Sequence, residues 1–212
     1  SGINAASADL NTTAHNISNA NTTGFKQSRT EFADVYAAGA FGLSSVNQGS
    51  GVRVAAVSQQ FTQGTINFTE NPLDLAINGR GFFQVLLPDG TAAYTRDGSF
   101  QISATGDLVT SNGYAVQPGI NIPDGAQTLT VGSDGTVAVQ FAGESQPQQV
   151  GTLQITDFVN PAGLQPQGNN LFTESGSSGP PQTGTASLNG LGSLIQGSLE
   201  ASNVNVVEEL VN

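Results

Sequence analysis

Between residues 52 and 159 apolar side chains recur at every second position, in runs kept short by glycine-bearing turns. Val52, Val54 and Ala56 alternate with Arg53 and Ala55; Ile66 and Phe68 flank Asn67; Leu73, Leu75 and Ile77 alternate with Asp74, Ala76 and Asn78. A period of two sends successive side chains to opposite faces of a strand, so this stretch must build sheets. The punctuation says which kind. Asn78-Gly79-Arg80-Gly81, Pro88-Asp89-Gly90, Asp97-Gly98, Thr105-Gly106-Asp107 and Asn112-Gly113 are turn sequences, and Ser133-Asp134-Gly135 separates Leu129 and Val131 from Val137, Val139 and Phe141. Asp-Gly and Asn-Gly tolerate the positive φ angles of tight hairpins, which join antiparallel strands. The last strand candidate is 153–159.

The ends of the chain read differently. Ile3, Ala6, Leu10, Ile17 and Ala20 form a helical stripe over 3–20, opposite Asn, Asp and Ser. The segment is rich in residues of poor helix propensity and should be marginal alone. Breakers at 19–24 end it before Phe25. A second amphipathic stretch, 32–36, leads into a loose segment at 37–50. Past Phe172, the Gly, Ser and Pro of 175–181 read as a polar linker. Apolar character returns at Leu188, Leu191, Leu194, Ile195 and Leu199. Asn205 with Glu208 fits a helix N-cap with its reciprocal carboxylate, and Val206, Val207, Leu210 and Val211 open a new apolar face.

The expected fold is therefore mainly β: an irregular β-rich body with a discontinuous helical region contributed by both termini. The expected division is 1–36 for the helix and its motif, 37–72 for connecting strands, 73–174 for the β body, 175–187 for the linker, and 188–212 for a return segment and the start of a helix. The chain lacks an initial Met and stops inside a helical pattern, so both ends read as trimmed. A fully buried Leu or Ile contributes roughly 1.5–3 kcal/mol. Stripes carrying Ile3, Leu10, Ile17, Val206, Val207, Leu210 and Val211 are thus expected to pack on each other, on neighbouring subunits, or on both. In a dilute monomer, 1–22 and 203–212 should be protease-sensitive.

Charge narrows the function classes. Five basic residues face sixteen acidic ones, for a net charge of -11. All five (Lys26, Arg29, Arg53, Arg80, Arg96) lie within the first 96 residues, while ten acids follow with no Lys or Arg. Such a surface repels phosphate backbones and anionic lipid heads, which excludes nucleic acid as a partner. No apolar run approaches the roughly 20 residues of a membrane span, and none is expected to insert. Without Cys there is no thiol chemistry or disulfide. The asymmetry admits two accounts. Arg29, Arg53, Arg80 and Arg96 contact the acid-rich half of adjoining subunits, or the acidic surface merely keeps monomers apart.

Catalytic and metal readings fare poorly. His15, the single histidine, has no base or nucleophile beside it. The Asp-Gly pairs lack the ordered spacing of a calcium loop, and Gly79-Arg80-Gly81 precedes a strand rather than a helix. Asp74, Asp97 and Asp107 could supply a glycosidase pair, but the chain has no Trp and three Tyr for sugar stacking. No cofactor, metal or catalytic site is expected.

The stretch Asn16-Ile17-Ser18-Asn19-Ala20-Asn21-Thr22-Thr23-Gly24-Phe25-Lys26 resembles the N-terminal motif of bacterial flagellar rod and hook axial proteins. Residues 71–100, 158–164, 168–172 and 188–212 resemble the distal rod members of that family, and 28–66 looks more like a hook protein. The likeness covers most of the chain, and the motif positions it carries are Asn16, Asn19, Thr23, Gly24 and Phe25. Hook proteins, however, carry an additional outer β domain for which 212 residues leave no room. The resemblance implies a structural subunit, exported through the flagellar export apparatus, that polymerises into a hollow torque-transmitting tube with other copies and with other rod and hook proteins. It implies a place in the basal-body rod, from periplasm to outer membrane. The alternatives are a short hook protein or rod–hook hybrid, which would lie outside the cell, and, in another class, a secreted β-rich adhesin or carbohydrate-active domain.

Overall fold

The computed structural model describes residues 2–36, 49–204 and 209–210. A single described helix of regular length, α1 (Gly2–Ser18), leads to a hairpin of β1 (Ser28–Tyr36) and β2 (Gly49–Gln59). The body follows as β3 (Ile66–Phe68), β4 (Leu75–Asn78), β5 (Phe83–Leu86), β6 (Ala92–Thr95), β7 (Gln101–Ile102), β8 (Leu108–Val109), β9 (Ala115–Gln117), β10 (Ala126–Val131), β11 (Thr136–Phe141), β12 (Gln148–Thr152), β13 (Gln154–Asp157), β14 (Gln165–Gly168), β15 (Leu171–Thr173), β16 (Gln182–Thr185), β17 (Ser193–Gln196) and β18 (Ser198–Glu200). The mainly β expectation holds.

The largest sheet runs β14-β15-β6-β5-β9-β8-β7, beside a three-stranded β10-β11-β12 sheet and the pairs β13-β16, β17-β4 and β18-β3. Among the described residues every strand pairing is antiparallel, as the turn chemistry predicts for the hairpins. β10 and β11 form the hairpin around Ser133-Asp134-Gly135, with Val131 opposite Val137.

Two adjacent phenylalanines divide the interior. Successive side chains on a strand point to opposite faces, so Phe83 enters one core and Phe82 another. Phe83 meets Phe100 edge-on at 5.0 Å among Leu75, Ile77, Val137 and Ile155. Phe82 lies at 5.4 Å from Phe61 and 6.0 Å from Phe158, beside Tyr94 and Phe172. Edge-to-face pairs of this kind contribute about 0.5–1.5 kcal/mol beyond burial.

The structure departs from the sequence pattern in four places. The stretch 32–36 belongs to strand β1 and pairs with β2. Ala76, which alternates with Leu75 and Ile77 in the sequence, is fully buried along with them, because β4 is covered on both faces. The polar linker is packed rather than extended: Ser178 and Ala186 are buried, Ser178 Oγ donates to the Ser175 carbonyl, and β16 pairs with β13. Hydrogen-bonded serines can be buried where a solvated linker would leave them out. The return segment is likewise body, since β17 and β18 complete the β4 and β3 pairs.

The turn aspartates carry a pH signature. Hydrogen bonds from Thr91 hold Asp89 below the usual carboxylate range, Asn121 and Thr105 do so for Asp107, and Thr136 for Asp134. Because these folded-state values are depressed, the stabilisation is complete above the ordinary value of 3.8 and is lost as pH falls through the folded values. The melting temperature should therefore fall along the acid limb. A D89N/D134N variant keeps both side-chain acceptors without the titration and should show a shallower fall; an unchanged limb would refute this assignment.

Candidate functional site

The motif at 16–26 forms the joint between α1 and the body. At the end of the helix, the buried Asn16 side chain behaves like a strand rung: Nδ2 donates to the Ser28 carbonyl at 2.8 Å, and Ser28 N–H donates to Oδ1 at 2.8 Å. Asn16 Nδ2 also reaches Glu209 Oε2 at 3.2 Å, so the far terminus lies against the same helix. Asn19 closes the helix by donating from Nδ2 to the His15 carbonyl at 2.9 Å, and Thr22 donates to Asn19 Oδ1. The Thr23 carbonyl accepts from Asn170 Nδ2.

Gly24 turns the chain with φ +67°, and its N–H donates to the Glu200 carbonyl at 2.7 Å. A Cβ there would lie 2.8 Å from Asp97 N, so only glycine permits this approach. Phe25 is buried, its ring 5.4 Å from His15. His15 is thus a packing residue. Asn203 completes the joint by accepting from Gln27 N–H at 2.8 Å and donating to the Gln60 carbonyl at 2.8 Å. The last turn of α1 and Asn203 are thus tied to the body.

Beneath the joint lies a buried charge node. Glu200, fully buried on β18, ion-pairs with Lys26 through Oε1 and accepts Arg96 Nε at 2.8 Å through Oε2. Gly64 N–H also donates to Oε1 at 2.9 Å. Arg96 uses its remaining N–H groups on the carbonyls of Ile77, Gly79 and Gly81 and on Gln63 Oε1, at 2.7–3.0 Å. Lys26 Nζ donates to the Thr62 carbonyl at 2.7 Å. Two cations thus share one carboxylate, and four carbonyl oxygens stabilise the excess charge. Burial pushes the Lys26 ammonium below the usual lysine range, and Glu200 offsets only part of that.

The node corrects one expectation: Arg96 does not face an adjoining subunit but is buried within its own. Arg80 bridges Asp157 at 2.9 Å while staying largely exposed. Arg29 and Arg53 are exposed on the β1–β2 hairpin. On α1, Ile3 is 82% and Leu10 69% exposed, whereas Ile17 is half-buried near the joint. Leu210 is exposed; Val206, Val207 and Val211 lie outside the described residues. Sequence reasoning missed Lys26 and Glu200 as partners. The available signals were a lone lysine beside the motif and an acid following Leu199 in an apolar run, but no local pattern joins positions so far apart.

Among the described residues no group of three His, Cys, Asp or Glu side chains converges as a metal site would require. No described helix is long and apolar enough to cross a membrane. Motif, body and return segment are thus joined by one connected set of polar contacts, with the charge node at its buried centre.

Comparison with known proteins assigns the two halves of this joint. The family model described as Flagella basal body rod protein matches residues 1–26, and the one described as Flagellar hook protein FlgE/F/G D1 domain matches 76–139. The flagellar basal-body rod protein FlgG of Buchnera aphidicola subsp. Schizaphis graminum is 44% identical across 100% of this chain and 85% of its own length. That of Borreliella burgdorferi is 42% identical across 100% of this chain and 84% of its length. A flagellar hook protein FlgE, from Helicobacter mustelae, is 41% identical but shares only 55% of this chain and 28% of its own. Likeness at this level over the whole of this chain and 84–85% of these relatives, with the docked helix and the β body each matched in turn, places the chain in the FlgG family of flagellar basal-body rod proteins.

Proposed function

We propose that the chain is a non-catalytic structural subunit of the flagellar rod, exported and then added to copies of itself and to other rod and hook proteins in a hollow, torque-bearing tube. The carrying observation is the pair of exposed apolar residues Ile3 and Leu10, on a helix that the body anchors firmly at its C-terminal end. Side chains of that kind gain roughly 1.5–3 kcal/mol each when covered, and neighbouring subunits supply the cover. In such a tube, torque passing between α1 and the body has to go through residues 16–27. Buried hydrogen bonds, the Gly24 contact and the charge node make that path rigid, because a buried polar network has few alternative arrangements of similar energy.

Electron microscopy and sedimentation of the full-length chain test this reading. Filaments are expected from the unmodified protein, and Ile3→Asp or Leu10→Asp should abolish them while leaving the melting temperature of the body unchanged. A chain that stays monomeric at high concentration, with α1 as protected from hydrogen exchange as the body, would rule the proposal out. The partial hook likeness supports a second reading as a short hook-type subunit. Rescue of swimming in a strain lacking its rod protein, rather than one lacking its hook protein, decides for the rod.

A further inference from the structure

The structure leaves very few cations available for contacts outside the chain. Lys26 and Arg96 are enclosed in the node, and Arg80 bridges Asp157. Arg29 and Arg53 remain as exposed arginines without an ion-pair partner among the described residues. Arg29 pairs across the hairpin with Ser58 and Arg53 with Ala33. A register shift between Glu31 and Phe32 separates the two pairs, and each guanidinium is exposed on the hairpin.

The body offers a matching receptor. A surface cavity of about 380 Å³ beside β6 and β15 is lined by the carboxylates of Asp89 and Glu174, with Leu87, Ala92 and Thr173 as walls. Tyr94 also lines it. Its residue is 3% exposed, and the hydroxyl, which reaches the open cavity, makes no hydrogen bond among the described residues. Asp89 uses one oxygen to accept from Thr91 N–H at 2.9 Å, and Glu174 makes no ion pair among the described residues. Burial, with the Glu174 carboxylate nearby, pushes the Tyr94 phenol above its ordinary value, so it remains a neutral hydroxyl. Two carboxylates and an unpartnered hydroxyl, beside Leu87 and Ala92 and the polar Thr91, Gln167 and Thr173, suit a planar cation with several donors, which is the chemistry of a guanidinium.

We infer that the Asp89–Glu174–Tyr94 cavity receives Arg29 or Arg53 from the β1–β2 hairpin of a second copy of this chain. Knob and receptor are different surfaces, so the contact is heterologous and repeats from copy to copy as an open series. This inference rests on the axial-subunit reading and adds to it the residues that join neighbours. A guanidinium fits better than an ammonium, since the only lysine is buried.

The test uses full-length chain. Glu174→Arg should raise the critical concentration for assembly by about tenfold or more, and combining it with Arg53→Glu or Arg29→Glu should restore it. Because the chain has no native Cys, subunits carrying only Glu174→Cys can be mixed with subunits carrying only Arg53→Cys or Arg29→Cys and treated with a short bismaleimide. A mixed cross-linked dimer, formed only on assembly, supports the inference. Normal filaments with neither cross-link nor rescue would overturn the site while leaving the axial reading intact. Absence of any filament from unmodified chain would overturn both.

Discussion

Glu200→Ala should lower the unfolding free energy of the body by about 3–5 kcal/mol, the usual cost of removing one partner from a buried ion pair. The carboxylate is the single counter-charge for two buried cations, and its loss also frees Gly64 N–H. For a chain of this size each kcal/mol shifts the melting temperature by about 2–4 °C, so the midpoint should fall by roughly 6–20 °C. Lys26→Met should cost less, because Arg96 keeps Glu200 and a cation that burial already disfavours is removed. Chemical denaturation of the two variants measures the difference. A Glu200→Ala loss below that of Lys26→Met would mean that the carboxylate is not the centre of the node.

The second large effect concerns the joint. Gly24→Ala places a Cβ 2.8 Å from Asp97 N and 3.0 Å from the Arg96 carbonyl carbon, both backbone atoms that cannot swing aside. It also imposes a left-handed conformation at φ +67°, which costs a residue with a side chain about 1–2 kcal/mol. Overpacking typically adds about 1–3 kcal/mol. The helix should therefore detach from the body, exposing 2–18 to protease and hydrogen exchange while β4 through β17 stay protected. Gly90→Ala is the control: φ is +86° but nothing lies within 4 Å, so only the backbone cost applies. Equal effects from the two variants would show that crowding against 96–97 contributes nothing. Assembly should fail with Gly24→Ala even where the body remains folded, because the apolar face of α1 is no longer held in register.

The features legible in the sequence were local ones. The stripe Ile3, Leu10 and Ile17 marked α1, and Ser133-Asp134-Gly135 between alternating valines marked the β10–β11 hairpin. Helix period and turn chemistry depend on residues within a few positions of one another, so a single strand of text carries them. The packed segment around Ser178 was misread for the same reason. Its composition is that of a linker, and what makes it ordered is a set of distant contacts, such as Asn160 Nδ2 donating to the Ser177 carbonyl at 2.9 Å. Ala76 illustrates the converse, because alternation predicts which side chains share a face but not whether the other face is covered.

Alternation, turn residues and the helical stripe determined, without coordinates, a mainly β body preceded by an N-terminal helix. The tertiary structure alone decided how each charge is used. Arg96 and Arg29 look alike as letters, yet one is held by Glu200 in the interior and the other stands exposed on a hairpin. Local conformation follows from neighbours in the chain, whereas burial and ion pairing follow from neighbours in space. For a group such as Glu200, whose cations lie 174 and 104 positions away, only the folded chain brings those neighbours together.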